Sequence, residues 1–300
     1  MRMVERPPVG RTVNVGGIRL WMDRSGVGRQ PVVFVPGAGG IGLDFFLAHE
    51  QVARFATSLI YDRAGTGWSD DVALPRSTTE VTDELRALLG ATGLPAPYVL
   101  VGHSLGGAYV QRYAQRFPDD VAAMLLIEPL HEDWNDYMPD HLKINTNAAA
   151  AEGALEVTGD LIAHFRRSFT ETFSAFPQPL QGLLIDKHLS PERLLTGLRE
   201  GSNVLAILDD LRAGGARPDV PLIVLSGTDI DAAQKLFASE GQLREQIAAS
   251  GKLFASIAAK APCGEHRSLP GTTHISIPMV RPDAVAAAVH DLARRAQQRP

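Results

Sequence analysis

The chain has 300 residues, of which 45% are hydrophobic and 21% charged, and a formal net charge of −5. That is the make-up of a globular protein with one large domain or two smaller ones, and its acidic balance argues against a nucleic-acid scaffold. One cysteine, Cys263, excludes an intramolecular disulfide and fits a cytoplasmic setting, and neither a signal-peptide h-region nor a membrane-spanning apolar run is found.

In chain order, "RTVNVGGIRLWMD" alternates about Gly16-Gly17 and predicts a β-hairpin. "PVVFVPG" is a β-branched run with the pattern of a strand buried on both faces. Residues 44–55 read as a helix, "SLIYD" as a strand, and residues 79–90 as a helix that Thr79 would cap. "PYVLVGHS" reads as a strand, residues 105–117 as a helix stopped by Pro118, and "VAAMLLIEP" as a sixth strand. The alternation then breaks. Residues 131–217 carry helical stretches and no convincing strand, and include an alanine run at 148–151. The rhythm resumes with "VPLIVLSG", a helical stretch over 232–259, "EHRSLPG", and a last helix over 282–297. Alternating strands and helices predict an α/β fold, a mostly parallel sheet flanked by helices. The expected domains are a core of 1–130 and 218–300 and a helical cap, or lid, of 131–217 inserted after strand 6.

In "VGHSLGG", Gly102, Ser104 and Gly106 form G-x-S-x-G between a predicted strand and a predicted helix. A tight turn there would hold the Ser104 hydroxyl above the sheet at a helix N-terminus, where N–H groups stabilise negative charge. The plainer reading is a glycine turn with a serine cap, but the strand before and helix after favour a nucleophile. A serine needs a base in reach and a carboxylate to orient that base, and in this motif's fold they follow in the order serine, acid, histidine. Of nine histidines, His274 alone lies in a loop between the last strand and the last helix. His266 falls within that strand, and the side chain of His103 is expected to point away. For the acid, Asp231 ranks first, Asp229 second and Glu128, at the end of "LLIEP", third. The structural alternatives are a helix cap for Asp231 and a turn aspartate for Asp229.

Together "VVFVPGAGG", "YDRAGTGWSD", "VGHSLGG", "LLIEP", "PLIVLSGTDID" and "GTTHISI" with "RPDAV" make the chain resemble the α/β-hydrolase superfamily, in its capped serine-hydrolase branch. The resemblance implies an oxyanion hole from the backbone N–H groups of Leu105 and Ala38, each contributing roughly 3 kcal/mol to transition-state stabilisation. Two departures stand out. Pro36-Gly37 replaces the family's His-Gly, so that loop is expected to be held differently. The family's acid falls three residues after the strand-ending glycine, and Asp229 is one short and Asp231 one long. A serine rather than an aspartate nucleophile argues against an epoxide hydrolase or haloalkane dehalogenase.

Leu161, Phe165, Phe169 and Phe173 fall four apart on one helical face. Packing is the plainer reading of this stripe; the sharper one has Phe169, with Phe45 and Trp134, lining a pocket for a small apolar substrate. No histidine–cysteine set has metal-ligand spacing and "GAGG" lacks the dinucleotide fingerprint, so no cofactor or metal is expected. The reading is a serine carboxylesterase or thioesterase acting on a small molecule. The alternatives are an acyltransferase, a cofactor-free perhydrolase or a C–C hydrolase with the same residues, or a non-catalytic binding protein.

Overall fold

The computed structural model describes residues 6–28, 30–145, 158–231, 234–236 and 238–298. Eight strands form one sheet in the order β1-β2-β4-β3-β5-β6-β7-β8. β1 (Arg11–Val15) and β2 (Ile18–Ser25) form the hairpin, turning at Gly16 and Gly17, both at positive φ. β2 pairs antiparallel with β4 (Ser58–Tyr61). From there β3 (Val32–Val35), β5 (Tyr98–His103), β6 (Val121–Ile127), β7 (Leu222–Gly227) and β8 (Glu265–Leu269) run parallel, so their C-terminal ends share one edge.

Helices cover both faces, which is why the central strands carry near-continuous apolar runs. Val33, Leu100, Leu126 and Val224 pack on one face under α2 (Thr78–Thr92), α3 (Leu105–Arg116) and α9 (Glu240–Ala259). Phe34, Val101, Leu125 and Ile223 pack on the other under α1 (Phe46–Val52) and α11 (Pro282–Gln297), the latter preceded by the short α10 (Ile277–Val280). The cap of α2 is Ser77, not Thr79: its hydroxyl accepts from Glu80 N–H and the Glu80 carboxylate accepts from Ser77 N–H, so the helix begins at Thr78, one residue before the expected 79.

Between β6 and β7 lie α4 (Trp134–Tyr137), α5 (Gly159–Thr172), α6 (Gln178–Leu189), α7 (Pro191–Glu200) and α8 (Val204–Ala213). The alanine run at 148–151 lies outside the described residues. Phe173, Phe176 and Leu184 are buried in the same apolar cluster as β3 and α1, so this segment is packed onto the core.

At the β5–α3 junction the chain reverses in one residue. A Cβ on Gly106 would overlap the carbonyl oxygens of Val35 and Pro36, whereas one on Gly90, exposed in α2, would meet nothing within 4 Å. Gly106→Ala is expected to cost about 3 kcal/mol, the upper end for overpacking, because rigid backbone blocks it. Gly90→Ala should stabilise by about 0.5–1 kcal/mol. Urea denaturation midpoints at unchanged slope measure both.

Candidate active site

Ser104 follows the last residue of β5 with φ 53° and ψ −120°, a conformation that costs a non-glycine residue about 1–3 kcal/mol. It is held there by the next strand. Ser104 N–H donates to Ile127 O at 3.0 Å, and Ser104 O accepts from Leu130 N at 3.0 Å and Gly107 N at 2.9 Å. The turn lifts the hydroxyl above the sheet edge, where His274 Nε2 lies 3.1 Å from Ser104 Oγ. His274 comes from the loop after β8, as the chain order required.

The carboxylate on the far side of the ring is Glu128, not Asp231 or Asp229. His274 Nδ1 donates to Glu128 Oε2 at 2.8 Å, while Glu128 Oε1 accepts from Gly227 N at 2.6 Å. Glu128 stands one residue past β6, the strand beside β5, with φ 42°. Its sequence signal is a single acidic residue directly after the apolar run VAAMLLI. Asp231 is buried and shapes the histidine loop instead: its Oδ2 accepts from Thr273 Oγ1 at 3.1 Å and Ile275 N at 3.4 Å. Asp229 is exposed, its side chain bonded to the Thr228 hydroxyl.

His103 is half-buried and turned toward the site, contrary to the expectation that it points away. Its Nε2 donates to the His274 carbonyl at 2.8 Å, and the two rings lie 5.0 Å apart. Burial, with a smaller push from His274, drives the His103 pKa down to about 3, so the ring stays neutral and fixes the backbone of the histidine loop. At His274 burial also opposes protonation. The hydrogen bond and charge of Glu128, with a smaller contribution from Asp231, outweigh it and raise the pKa above its ordinary value.

The loop Pro36–Gly40 runs beside Ser104. Gly37 is packed closely against the site: a Cβ there would lie 3.0 Å from His103 Nδ1 and 3.1 Å from Ser104 Cβ, so a side chain would push on both residues. Pro36 O and Gly37 O accept from the guanidinium of Arg63. The N–H groups of Ala38 and Leu105 have no hydrogen-bond partner among the described residues.

Two cavities meet at Ser104 and His274. One, of about 350 Å³, is bounded by the 36–40 loop, Phe45, Phe169, Leu194 and Met279. The other, of about 200 Å³, is bounded by Glu128, Trp134, Leu243, Phe254 and Ser250. Phe45 and Phe169 therefore face one side of the serine and Trp134 the other. Of the phenylalanine stripe, Phe173 is packed in the core and Phe169 reaches the cavity; the Leu161 side chain lies outside the described residues. His131, Glu132 and Asp133 bring ligand atoms together elsewhere, but Glu132 is bonded to Arg217 and Asp133 to Lys260. Among the described residues no helix is long and apolar enough to cross a membrane.

The profile of the alpha/beta hydrolase family matches residues 32–288. Among solved structures, a thermophilic esterase from Thermogutta terrifontis aligns over 96% of this chain and 97% of its own, with TM-score 0.63 and 20% identity. A Vigna radiata epoxide hydrolase mutant aligns over 95% and 98%, with TM-score 0.69 and 15% identity. Both likenesses are of fold. The human (lyso)-N-acylphosphatidylethanolamine lipase is 33% identical over 106 residues, 34% of this chain and 30% of that protein. The uncharacterized protein YbdG of Bacillus subtilis is 27% identical over 122 residues, 40% of this chain and 37% of that one. The match thus spans well under half the length of these curated relatives.

Ring-proton NMR titration checks the electrostatics. His274 should titrate above the ordinary histidine value of 6.5, and Glu128→Gln should bring it below, since burial remains and the carboxylate charge is gone. His103 should not titrate above pH 5. The unfolded chain binds a proton at His103 below about pH 6.5 and the folded one does not, so this residue costs the fold stability as pH falls toward 3.

Proposed function

The chain belongs to the alpha/beta hydrolase family, and on that footing we propose that it is a serine hydrolase cleaving a carboxylic ester or thioester of a largely apolar small molecule. The observation that carries the reading is the unbroken hydrogen-bonded line from Glu128 through His274 to Ser104, set between two cavities. An ester has an acyl part and an alcohol part on opposite sides of the carbonyl carbon. A serine that opens onto a cavity on each side can take one part in each.

Ser104 Oγ attacks the carbonyl carbon as its proton passes to His274 Nε2. The carbonyl oxygen takes the negative charge and is met by the N–H groups of Ala38 and Leu105, whose lack of other partners suits them to it. The carbon–oxygen bond to the alcohol then breaks, and His274 returns the proton to the departing oxygen. Water attacks the acyl-enzyme with His274 again as base, and acid and free Ser104 result. Glu128 holds the ring in the tautomer that leaves Nε2 open to accept the proton and stabilises the imidazolium that forms.

The helices between β6 and β7 serve as a lid in this reading, since Phe169 and Leu194 wall the larger cavity. Its other apolar walls, Phe45 and Met279, favour an uncharged acyl or ring group. The thermophilic esterase and the human lipase named above are ester-cleaving by name, which agrees with this chemistry.

With short p-nitrophenyl esters, Ser104→Ala is expected to lower kcat by about 10⁴-fold or more, and Glu128→Gln by about 10³- to 10⁴-fold. Asp231→Asn should lower it by less than about tenfold, because that side chain only braces the loop. Steady-state kinetics of the three variants decides: activity unchanged in Ser104→Ala, or Asp231→Asn as damaging as Glu128→Gln, contradicts the assignment.

A further inference from the structure

We infer that Glu200, carried by the helical segment between β6 and β7, is a positioning residue for the oxyanion donor at Ala38, so that the donor is in place only when that segment is seated on the core. The inference rests on the serine-hydrolase reading above. It begins with the two peptide groups on either side of Ala38. The Gly37–Ala38 peptide contains both the Gly37 carbonyl and the Ala38 N–H, and in a trans peptide these point in opposite directions. Arg63 Nη2 holds that carbonyl at 2.7 Å and thereby turns the Ala38 N–H the other way. The Ala38–Gly39 peptide is held at its own N–H, which donates to Glu200 Oε2 at 2.7 Å. The peptide plane that contains the Ala38 N–H is thus tied down by Arg63, and the next plane, across the Ala38 Cα, by Glu200.

The two anchors are one unit. Arg63 Nε donates to Glu200 Oε1 at 3.0 Å and Nη2 to Oε2 at 3.0 Å, and the side chains are 1% and 4% exposed. A guanidinium buried so completely needs a paired carboxylate, and without one it would turn toward another acceptor or water and release Pro36 O and Gly37 O. The paired carboxylate does not come from the core but from the last residue of α7.

The backbone of α7 meets the same loop independently. Gly39 has φ +68°, and a Cβ built on it would lie 3.0 Å from Gly197 Cα, so loop and helix touch main chain to main chain. One turn earlier Arg193 donates to Gly65 O at 3.1 Å and Gly67 O at 2.9 Å, docking the same helix on the loop that carries Arg63. The cavity wall and the oxyanion loop therefore share one helix. A substrate that stabilises the seated segment also stabilises the donor.

The test compares wild type with Glu200→Gln, which keeps shape and removes charge, and Glu200→Asp, which keeps charge, shortens reach and guards against a folding failure. Ser104 is first counted by fluorophosphonate labelling run to completion, so kcat is expressed per reactive serine. Glu200→Gln should lower kcat by about 10- to 100-fold with KM within about threefold, short of the 10²–10³ for outright loss of a donor. The affinity for a trifluoromethyl ketone, whose adduct carries an oxyanion, should weaken by the same factor. Glu200→Asp should fall between, at a Tm close to wild type. Unchanged kcat per labelled serine, or a fall in kcat with trifluoromethyl ketone affinity intact, overturns the role of Glu200 alone. Absence of labelling at Ser104 in the wild type overturns the hydrolase reading and this inference with it.

Discussion

Ser104 occupies a backbone conformation that a serine avoids, φ 53° and ψ −120°, and the rest of the site is arranged around that fact. The strain is sustained because neighbours on every side fix the turn. Its N–H bonds back to β6 and its carbonyl accepts two bonds from the chain beyond. Gly106 lets α3 come against the end of β3 without a side chain between them. The parallel register then does the remaining placement. Strands β5, β6, β7 and β8 end at one edge, so residues distant in sequence, Ser104, Glu128 and His274, converge there.

What the sequence disclosed follows from which signals are local. Fully buried strands such as VVFV and VAAMLLI are continuous apolar runs, and the sharp turn needs glycines at fixed offsets, so sheet, elbow and serine were all legible. His274 was legible from chain order. Spacing along the chain ranks Asp231 above Glu128 because it carries no information about reach. A glutamate one residue past β6 spans to the imidazole, while Asp231, positioned near the pattern expected after β7, is spent on Thr273 and Ile275. His103 is a related case: its ring is turned by a bond to the His274 carbonyl, a partner far away in the chain that no local pattern reports. Glu200, in "GLREGS", has the pattern of a solvated charge at a helix end, and only the folded chain brings it to Arg63.

The departure at Pro36-Gly37 acquires a physical account in the same way. The Pro36–Gly40 loop, three glycines and an alanine after a proline, has little to hold it except its own main chain. Here the main chain is gripped by charge, with a guanidinium on its carbonyls and a carboxylate on an N–H. Charge-assisted bonds in a water-poor setting are stiff, which suits groups that must already be aimed when charge develops on the substrate. The cavities on either side mix apolar walls, such as Phe45, Met279, Leu243 and Phe254, with polar ones, such as His188, Arg193, Glu128 and Gln246.

A crystal structure of the protein carrying a phosphonyl group on Ser104 measures the whole arrangement at once, because its phosphoryl oxygen occupies the place of the oxyanion. The arrangement described here predicts that oxygen within hydrogen-bond distance of both the Ala38 and Leu105 N–H groups, with His274 still paired to Glu128. An adduct oxygen directed to solvent, or an imidazole swung away to Asp231, would contradict it.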